Sequence, residues 1–421
     1  MQKLIFITTV LCTIVSAIKL PDARYLANGF SDYQARFAKK YNSSDELSYR
    51  RTVYEANLQE IAAFNNGEND WRKGENLFTD LTPEERDKYL GLLSSAGDQK
   101  SAQNSTQDTT NNSTTKSTRE AEIAAAEDST PVLSGQVSWR SMTNKSSTVV
   151  PSNTSTVVPS STTTNSVTAS FSNIQKSVNW VTANAVSPVK DQGRCGGCYA
   201  FSSVALVESL YMQKFKASIN LSEQEVIDCS STGSVNVNSG CNGGLINYAL
   251  SYFENKGVHL DTAYPYTAAL STCRAPSAVA SAATAAMATS VSKTTTVRVS
   301  GVKEVGKRSL LNLLVALQTS PVSIGIYVPQ ALYSYQSGLF NASNCANAPS
   351  NAPLNHAVLA VGYSLTGDAS TNNKPYLLIK NSWGPSWGEQ GYFKLEMPLV
   401  DVGNGSCNVT YGGYNFTAVL V

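Results

Sequence analysis

The 421-residue sequence carries almost no excess of either charge. Lys plus Arg number 32 against 31 for Asp plus Glu, a net of +1, which leaves no electrostatic footprint for nucleic acid or an anionic membrane surface. Charge of either sign is scarce at 15%, but 42% hydrophobic and 9% aromatic residues supply enough apolar surface for a sizeable core and exclude wholesale disorder. Histidine is rarer still, with only His259 and His356, and no second Cys-x-x-Cys accompanies Cys195 and Cys198. Further ligands for a zinc site or a histidine-based metal cluster are therefore missing. Long apolar runs are absent too: Leu4 to Val15 is short of the roughly 20 residues that span a bilayer, and no later segment reaches even that length. Preceded by Met1-Gln2-Lys3 and followed by the small Ser16 and Ala17, that run reads as a cleavable secretory signal over residues 1–17.

Removal of the signal takes Cys12 with it and leaves seven cysteines, at 195, 198, 229, 241, 273, 345 and 407. In an oxidising compartment an odd count predicts three bridges and one free thiol, with 15 pairings open to any six cysteines.

The length is too great for one ordinary domain, and the composition divides the chain. Within residues 18–92, Glu46, Arg50, Tyr54, Asn57, Ile61 and Asn65 recur at steps of three and four, which is helical spacing; taken alone, such a stripe reads as one side of a surface helix. Residues 93–176 are dominated by Ser, Thr, Asn and Ala and bury too little apolar surface to offset the entropy of ordering, so a disordered linker is expected there. Eleven Asn-x-Ser/Thr sequons, from Asn42 to Asn415, are candidate glycosylation sites. From 177 to 421 the texture is globular. Cys198 to Phe215 reads as a buried helix, while His356 to Tyr363 and Pro375 to Lys380 read as strands covered on both sides. A helix-rich first part and a strand-rich second part make an α+β domain, with a low-complexity surface insertion at about Pro276 to Thr296.

Cys198 stands at the predicted start of its helix, after the turn Gly193-Arg194-Cys195-Gly196-Gly197. Unpaired amides and the dipole of a helix N-terminus favour a thiolate and lower the thiol pKa. Such a nucleophile needs a base held in register by a third group.

At this point the sequence resembles the papain family of cysteine peptidases, especially its cathepsin L-like branch. QGRCGGCYAFS at Gln192 to Ser202 resembles the nucleophile motif, Asn355-His356-Ala357-Val358 the histidine motif, and Lys380-Asn381-Ser382-Trp383-Gly384 the asparagine motif. LSEQEVIDC at Leu221 to Cys229, GCNGG at Gly240 to Gly244 and Tyr264-Pro265-Tyr266 fill the interval in family order. Upstream, the spaced helical set resembles the ERFNIN signature of an inhibitory propeptide, with Tyr54 in place of Phe, and Gly74, Asn76, Phe78 and Asp80 resemble the GNFD element.

The resemblance implies a papain-like α+β fold of two subdomains, a helical left part and a β-barrel-like right part, with the cleft between them and a helical propeptide ahead. It implies an endopeptidase made as a zymogen: Cys198 as nucleophile, His356 as ion-pair partner and general acid, Asn381 orienting the imidazole under Trp383, and Gln192 donating to the oxyanion. The implied bridges are Cys195–Cys241, Cys229–Cys273 and Cys345–Cys407. Gly243 and Gly244 would hydrogen-bond a substrate backbone, and Leu245, Ile246, Gly325, Leu354, Ala357 and, at the base, Gly412 would form the pocket for the second residue before the scissile bond. None is charged, so Leu, Phe, Tyr or Val is expected there. Peptide and protein substrates and the chain's own propeptide are the only partners implied; no cofactor, metal, nucleic acid or membrane span is expected, and the peptidase is expected as a monomer in a lysosome-like compartment or outside the cell. Two histidines cannot supply a catalytic base together with the paired histidines of an exopeptidase occluding loop. Tyr199 replaces the usual Trp and Gly197 a Ser or Ala, and His356 lies 158 positions after Cys198, beyond the ~130 to 150 usual for the family. Two readings stay open: a non-catalytic binding or surface protein on the same scaffold, which would be favoured by loss of any of the four catalytic residues, all of which are present, and an acyl transferase that keeps the site but uses another amine as acceptor. His259 is expected to be structural or exposed.

Overall fold

The computed structural model describes residues 23–93, 171–232, 237–274, 296–345, 354–401 and 403–421, with side chains from Gly29 onward. The expected signal at 1–17, positions 94–170 of the expected linker and 275–295 of the expected insertion lie outside the described residues.

Two helices open the described chain, α1 (Ala23–Arg36) and α2 (Ser44–Asn65). Ser43 caps α2 by accepting from the Glu46 amide, a contact that stabilises a helix by about 1 kcal/mol. The regular stripe on α2 is not a solvent face: Arg50, Tyr54 and Ile61 are buried, and Tyr54 packs with Phe30 and Tyr33 of α1. Short strand β1 (Trp71–Lys73) and helix α3 (Pro83–Arg86) follow. Asn57 donates to Thr79 O (2.8 Å) and Asn65 donates to Lys73 O (2.7 Å), so the polar members of the stripe tie α2 to the segment that comes after it.

The C-terminal part begins with β2 (Ser177–Asn179), α4 (Cys198–Phe215), α5 (Glu223–Cys229) and α6 (Ile246–Asn255). It continues through β3 (Val299–Glu304), α7 (Leu310–Leu317), β4 (Val322–Ile326), α8 (Gln330–Tyr333), β5 (Tyr335–Phe340), β6 (His356–Ser364), β7 (Tyr376–Lys380), β8 (Tyr392–Glu396) and β9 (Phe416–Leu420). The strands form one sheet in the order β1-β5-β8-β7-β6-β4-β9-β3, with β2 on β6. β6 is buried at all nine positions, as a continuous apolar run predicts for a strand covered on both faces. Packing extends before Ser177, because Phe171 is 3% exposed and Ile174 lies against the same core.

Two cores flank the cleft. One holds Leu313, Ile324, Tyr333, Trp383 and Trp387; the other holds Val204, Leu206, Phe253 and Leu359. Between them a buried charge network joins the helical and sheet halves. Lys190 Nζ lies 2.8 Å from Glu208 and 2.6 Å from Glu223, while Lys380 Nζ donates to Ser187 Oγ (3.0 Å), whose hydroxyl donates to Glu208 (2.5 Å). Removing one member would leave a buried charge uncompensated, at a cost of about 3 kcal/mol or more. Disulfides join Cys195 to Cys241, Cys229 to Cys273 and Cys345 to Cys407, and Cys198 is free.

Candidate active site

Cys198 is the first residue of α4, with Gly197 as its cap. A Cβ at Gly197 would stand 2.9 Å from the tip of the Ile227 side chain, so the turn before the nucleophile packs closely on α5. His356 opens β6, where Ile326 of β4 is its strand partner, and Asn381 directly follows β7. The sheet thus delivers the histidine and the asparagine from adjacent strands. His356 and Asn381 are 2.9 Å apart through Nε2 and Oδ1. The Asn381 Oδ1 also accepts from the Ser382 amide (2.8 Å), so it is the acceptor and His356 Nε2–H the donor. That tautomer leaves His356 Nδ1 as a bare lone pair, buried and without a hydrogen-bond partner. Trp383, fully buried, covers the pair with its ring 4.9 Å from the imidazole.

Gln192 is buried and points its amide into the same space. Its Oε1 accepts from Ser382 Oγ (2.6 Å) and its backbone N–H donates to Ser382 O (2.8 Å). Nε2 is thereby turned inward, donating to Cys195 O and to Tyr89 O, both at 2.9 Å. Tyr89 belongs to the N-terminal segment, so a main-chain carbonyl from the chain's own N-terminal region occupies the donor. The next residues run through the cleft. Gly91 and Leu92 donate to Asn355 O (3.1 Å each), Gly244 donates to Gly91 O (2.8 Å) and Leu93 donates to Gly244 O (3.1 Å), a parallel pairing of Leu92 with Gly244. Gly91 packs on the nucleophile turn so closely that a Cβ on it would collide with the Gly196 carbonyl.

Leu92 is 5% exposed and belongs to the core that includes Leu354, Ala357, Ile246 and, at its margin, Leu245. A Cβ at Gly325 would meet Leu92 (2.8 Å), Leu354 (2.8 Å) and Tyr414 (2.9 Å), so those three side chains converge over the glycine. Gly243 adopts a φ of +112° and approaches Gly91 O, a backbone state that favours glycine. A Cβ at Gly412 would meet the Lys307 side chain, whereas Tyr414, two residues on, is the residue of this stretch that stands over Gly325. Ser382 was also passed over as a site residue, although it stands within the Lys380–Gly384 motif; its hydroxyl gains meaning only when Gln192 is seen beside it. His259 is half-buried and pairs with Glu225, Nδ1 to Oε1 3.0 Å, away from this cluster. Asn415 is buried, its amide donating to Val409 O (2.7 Å), so this sequon is closed to glycosylation in the folded chain.

Burial sets the protonation states. Cys198 is pushed up to about 12, chiefly by desolvation and against backbone amide contacts from Ala357 and Gly91. His356 is pushed down to about 4, again chiefly by desolvation and against the Asn381 contact. Both shifts favour the neutral thiol and neutral imidazole. The helix-terminus argument alone predicts a lowered thiol pKa; with the N-terminal segment lying over the thiol, exclusion of water outweighs the dipole.

The N-terminal segment is secured by its own polar contacts. Arg50 forms a two-pronged pair with Glu85 (2.6 and 2.7 Å), and Asp80 accepts from Tyr33 (2.6 Å), Lys39 (2.7 Å) and Tyr41 (2.9 Å). Asn76 donates to Tyr333 O (2.8 Å), and Phe78 packs edge-on against Trp383 and Tyr333 at 5.0 Å. A Cβ at Gly74 would meet Gln336 at 2.6 Å.

Comparison with known proteins agrees with this geometry. The family model for papain family cysteine proteases matches residues 174–412, and that for the cathepsin propeptide inhibitor domain matches residues 30–86. Cysteine proteinase 3 of Solanum lycopersicum is 30% identical over 382 residues, covering 90% of this chain and 83% of that protein. Thiol protease aleurain of Arabidopsis thaliana is 31% identical over 379 residues, covering 90% and 82%. Among solved structures, a recombinant stem bromelain precursor aligns with a TM-score of 0.62 at 25% identity, covering 93% of this chain and 98% of that one. Digestive procathepsin L 3 of the Tenebrio molitor larval midgut aligns with a TM-score of 0.61 at 26% identity, again covering 93% and 98%.

Proposed function

The chain belongs to the papain family of cysteine proteases and carries the family's inhibitory propeptide domain, and from that premise we propose that it is an endopeptidase zymogen whose catalytic residues are Cys198, His356, Asn381 and Gln192. The observation that carries this reading is the seat of the Tyr89 carbonyl on Gln192 Nε2 at 2.9 Å, beside the one free cysteine among the described residues. That is where a carbonyl oxygen must gain negative charge if the thiol attacks its carbon.

Once the propeptide leaves, water reaches the thiol and imidazole, and the proton passes from Cys198 to the lone pair on His356 Nδ1. The thiolate attacks the peptide carbonyl and the oxyanion accepts from Gln192 Nε2 and the Cys198 amide. His356 returns the proton to the leaving amine, giving a thioester that water hydrolyses by the reverse sequence. Asn381 holds the ring in the tautomer this requires. The pocket taking the second residue before the cut is formed by Gly325, Leu354, Ala357 and Tyr414, and Leu92 stands in for the substrate side chain; an aliphatic residue of leucine's size fits it best. The segments read from the sequence are a signal at 1–17, propeptide at 18–92, linker at 93–176 and catalytic domain at 177–421, in a protein of the secretory route whose three disulfides suit an oxidising compartment. The contact of Leu93 with Gly244 and the packing of Phe171 and Ile174 on the core support drawing the linker in at both ends.

The test is mass spectrometry of acid-incubated protein treated with a thiol-directed peptidyl epoxide, beside a Cys198→Ala control. One adduct on Cys198 with loss of the propeptide is expected. No adduct after the propeptide has gone would overturn the assignment.

A further inference from the structure

The N-terminal segment is held at a second place, distant in sequence from the cleft contacts. Strand β1 lies along β5 as the outermost strand, with Trp71 opposite Gly338 and Arg72 opposite Ser337. Just before it, Asp70 is met by three side chains of the catalytic domain. Lys374 Nζ and Asn341 Nδ2 donate to its Oδ2 and Asn372 Nδ2 to its Oδ1, each at 2.7 Å, while Leu339 donates to its main-chain oxygen (2.9 Å). Trp71 then inserts beside Phe340, ring centroids 4.8 Å apart, and is 2% exposed. Gly338, at φ +88°, admits this approach: a Cβ there would stand 2.9 Å from the Trp71 Cα. The three donors fix the carboxyl at about 2, Lys374 contributing most.

Asn341 follows β5, whereas Asn372 and Lys374 lie in the turn between β6 and β7, so the donors come from two separate stretches of the catalytic domain and stay with it when the propeptide departs. What then remains is an open β5 edge, a place for an aromatic ring and three nitrogens set for one carboxylate. We propose that this surface is an exosite of the mature enzyme, which captures protein substrates through an extended segment carrying Asp directly before an aromatic residue. Main-chain pairing with an open edge supplies general affinity, and the side-chain places supply selection. The carboxylate fits because it is the group the three donors already hold; a cationic residue in its place would face Lys374. The exosite rests on the reading that the propeptide is released from an active peptidase.

The propeptide also sets the reach. Asp70 is at the exosite while Tyr89, 19 residues later, is at Gln192, and Leu92 occupies the pocket for residues before the scissile bond. Residues 70–89 therefore cover the side of the cleft that takes the leaving peptide. A substrate would engage both places through a tail on its C-terminal side, joined by about 20 flexible residues.

The experiment uses mature enzyme made by acid processing of the full chain, produced without N-glycans because Asn341 opens a sequon. A fluorogenic peptide with Leu two positions before the cut is extended by a 20-residue Gly/Ser linker and the tail Asn-Asp-Trp-Arg-Lys. Companion substrates carry Asn for Asp or Ala for Trp in the tail, and one has no tail. Initial rates should give a kcat/KM about tenfold higher with the Asp-Trp tail than with the Asn-Trp tail, through KM, as expected for losing a charged hydrogen-bond acceptor; with Lys374→Ala enzyme the ratio should fall toward one. Equal kcat/KM for all tails would overturn the exosite while leaving the peptidase reading intact. No cleavage of the tailless peptide would overturn the peptidase reading instead.

Discussion

The pair between Arg50 and Glu85 gives the most quantitative handle on latency. Arg50 is 11% exposed at its side chain and Glu85 26%, with two hydrogen bonds of 2.6 and 2.7 Å joining them. The guanidinium holds the Glu85 carboxyl at about 2, against an ordinary 4.5. Such a depression corresponds to about 3 kcal/mol in a wholly buried site, and the share of Glu85 in solvent reduces it to about 2 kcal/mol. Since the folded pKa lies below the unfolded one, this contribution is fully present above pH 4.5 and is lost as pH falls from there toward 2. Arg50→Ala removes it at neutral pH. In a Cys198→Ala background, which prevents self-cleavage, the population with an unfolded propeptide should rise about 30-fold at pH 7, read by hydrogen exchange across α2 and β1. Glu85→Gln should give a similar loss, and the double variant should lose little more than either single one. With the nucleophile restored, self-processing should begin at a higher pH than in the natural sequence. Strictly additive losses in the two single variants, or an unchanged processing threshold, would refute the assignment of this pair as an acid-sensitive clasp.

Three further outcomes follow from the geometry. Gly91→Ala places a Cβ into the Gly196 carbonyl, so the separate propeptide bearing it should inhibit the mature enzyme at least 30-fold less tightly, measured as Ki on a short peptide. Gln192→Ala should lower kcat about 10²-fold, whereas Ser382→Ala, which only releases the Gln192 carbonyl from a 2.6 Å hydrogen bond, should cost less and leave KM little changed; steady-state kinetics on one substrate separates them. Leu354→Ala removes the side-chain end that stands 2.8 Å from a Cβ at Gly325 and should shift preference two residues before the cut from Leu toward Phe and Tyr, read by competition between matched substrates.

Helical spacing, uninterrupted apolar strands and short motifs are local properties, and these were legible. The helix beginning at Cys198, the strand beginning at His356 and the order of the nucleophile, histidine and asparagine motifs could be read from adjacent residues because each depends on periodicity or on one turn. The stripe on α2 was legible as a helix face but not as a buried one, since periodicity cannot say what packs on it. Gly412 and Tyr414 differ by two positions in a stretch with few anchors, and only the three-dimensional approach of Leu92 and Leu354 to Gly325 told them apart.

The sequence by itself determined the chemistry available: one unpaired thiol after the signal, two histidines and a carboxamide on each side of them in the chain. Tertiary structure decided their protonation. A helix N-terminus is a local feature that lowers a thiol pKa, but desolvation depends on everything packed around the group, and residues Tyr89 to Leu93 arrive more than a hundred positions away in sequence to supply it. The same long-range packing assembled the Asp70 clasp from Asn341, Asn372 and Lys374, residues that no spacing rule connects, because hydrogen-bond geometry is a property of positions in space.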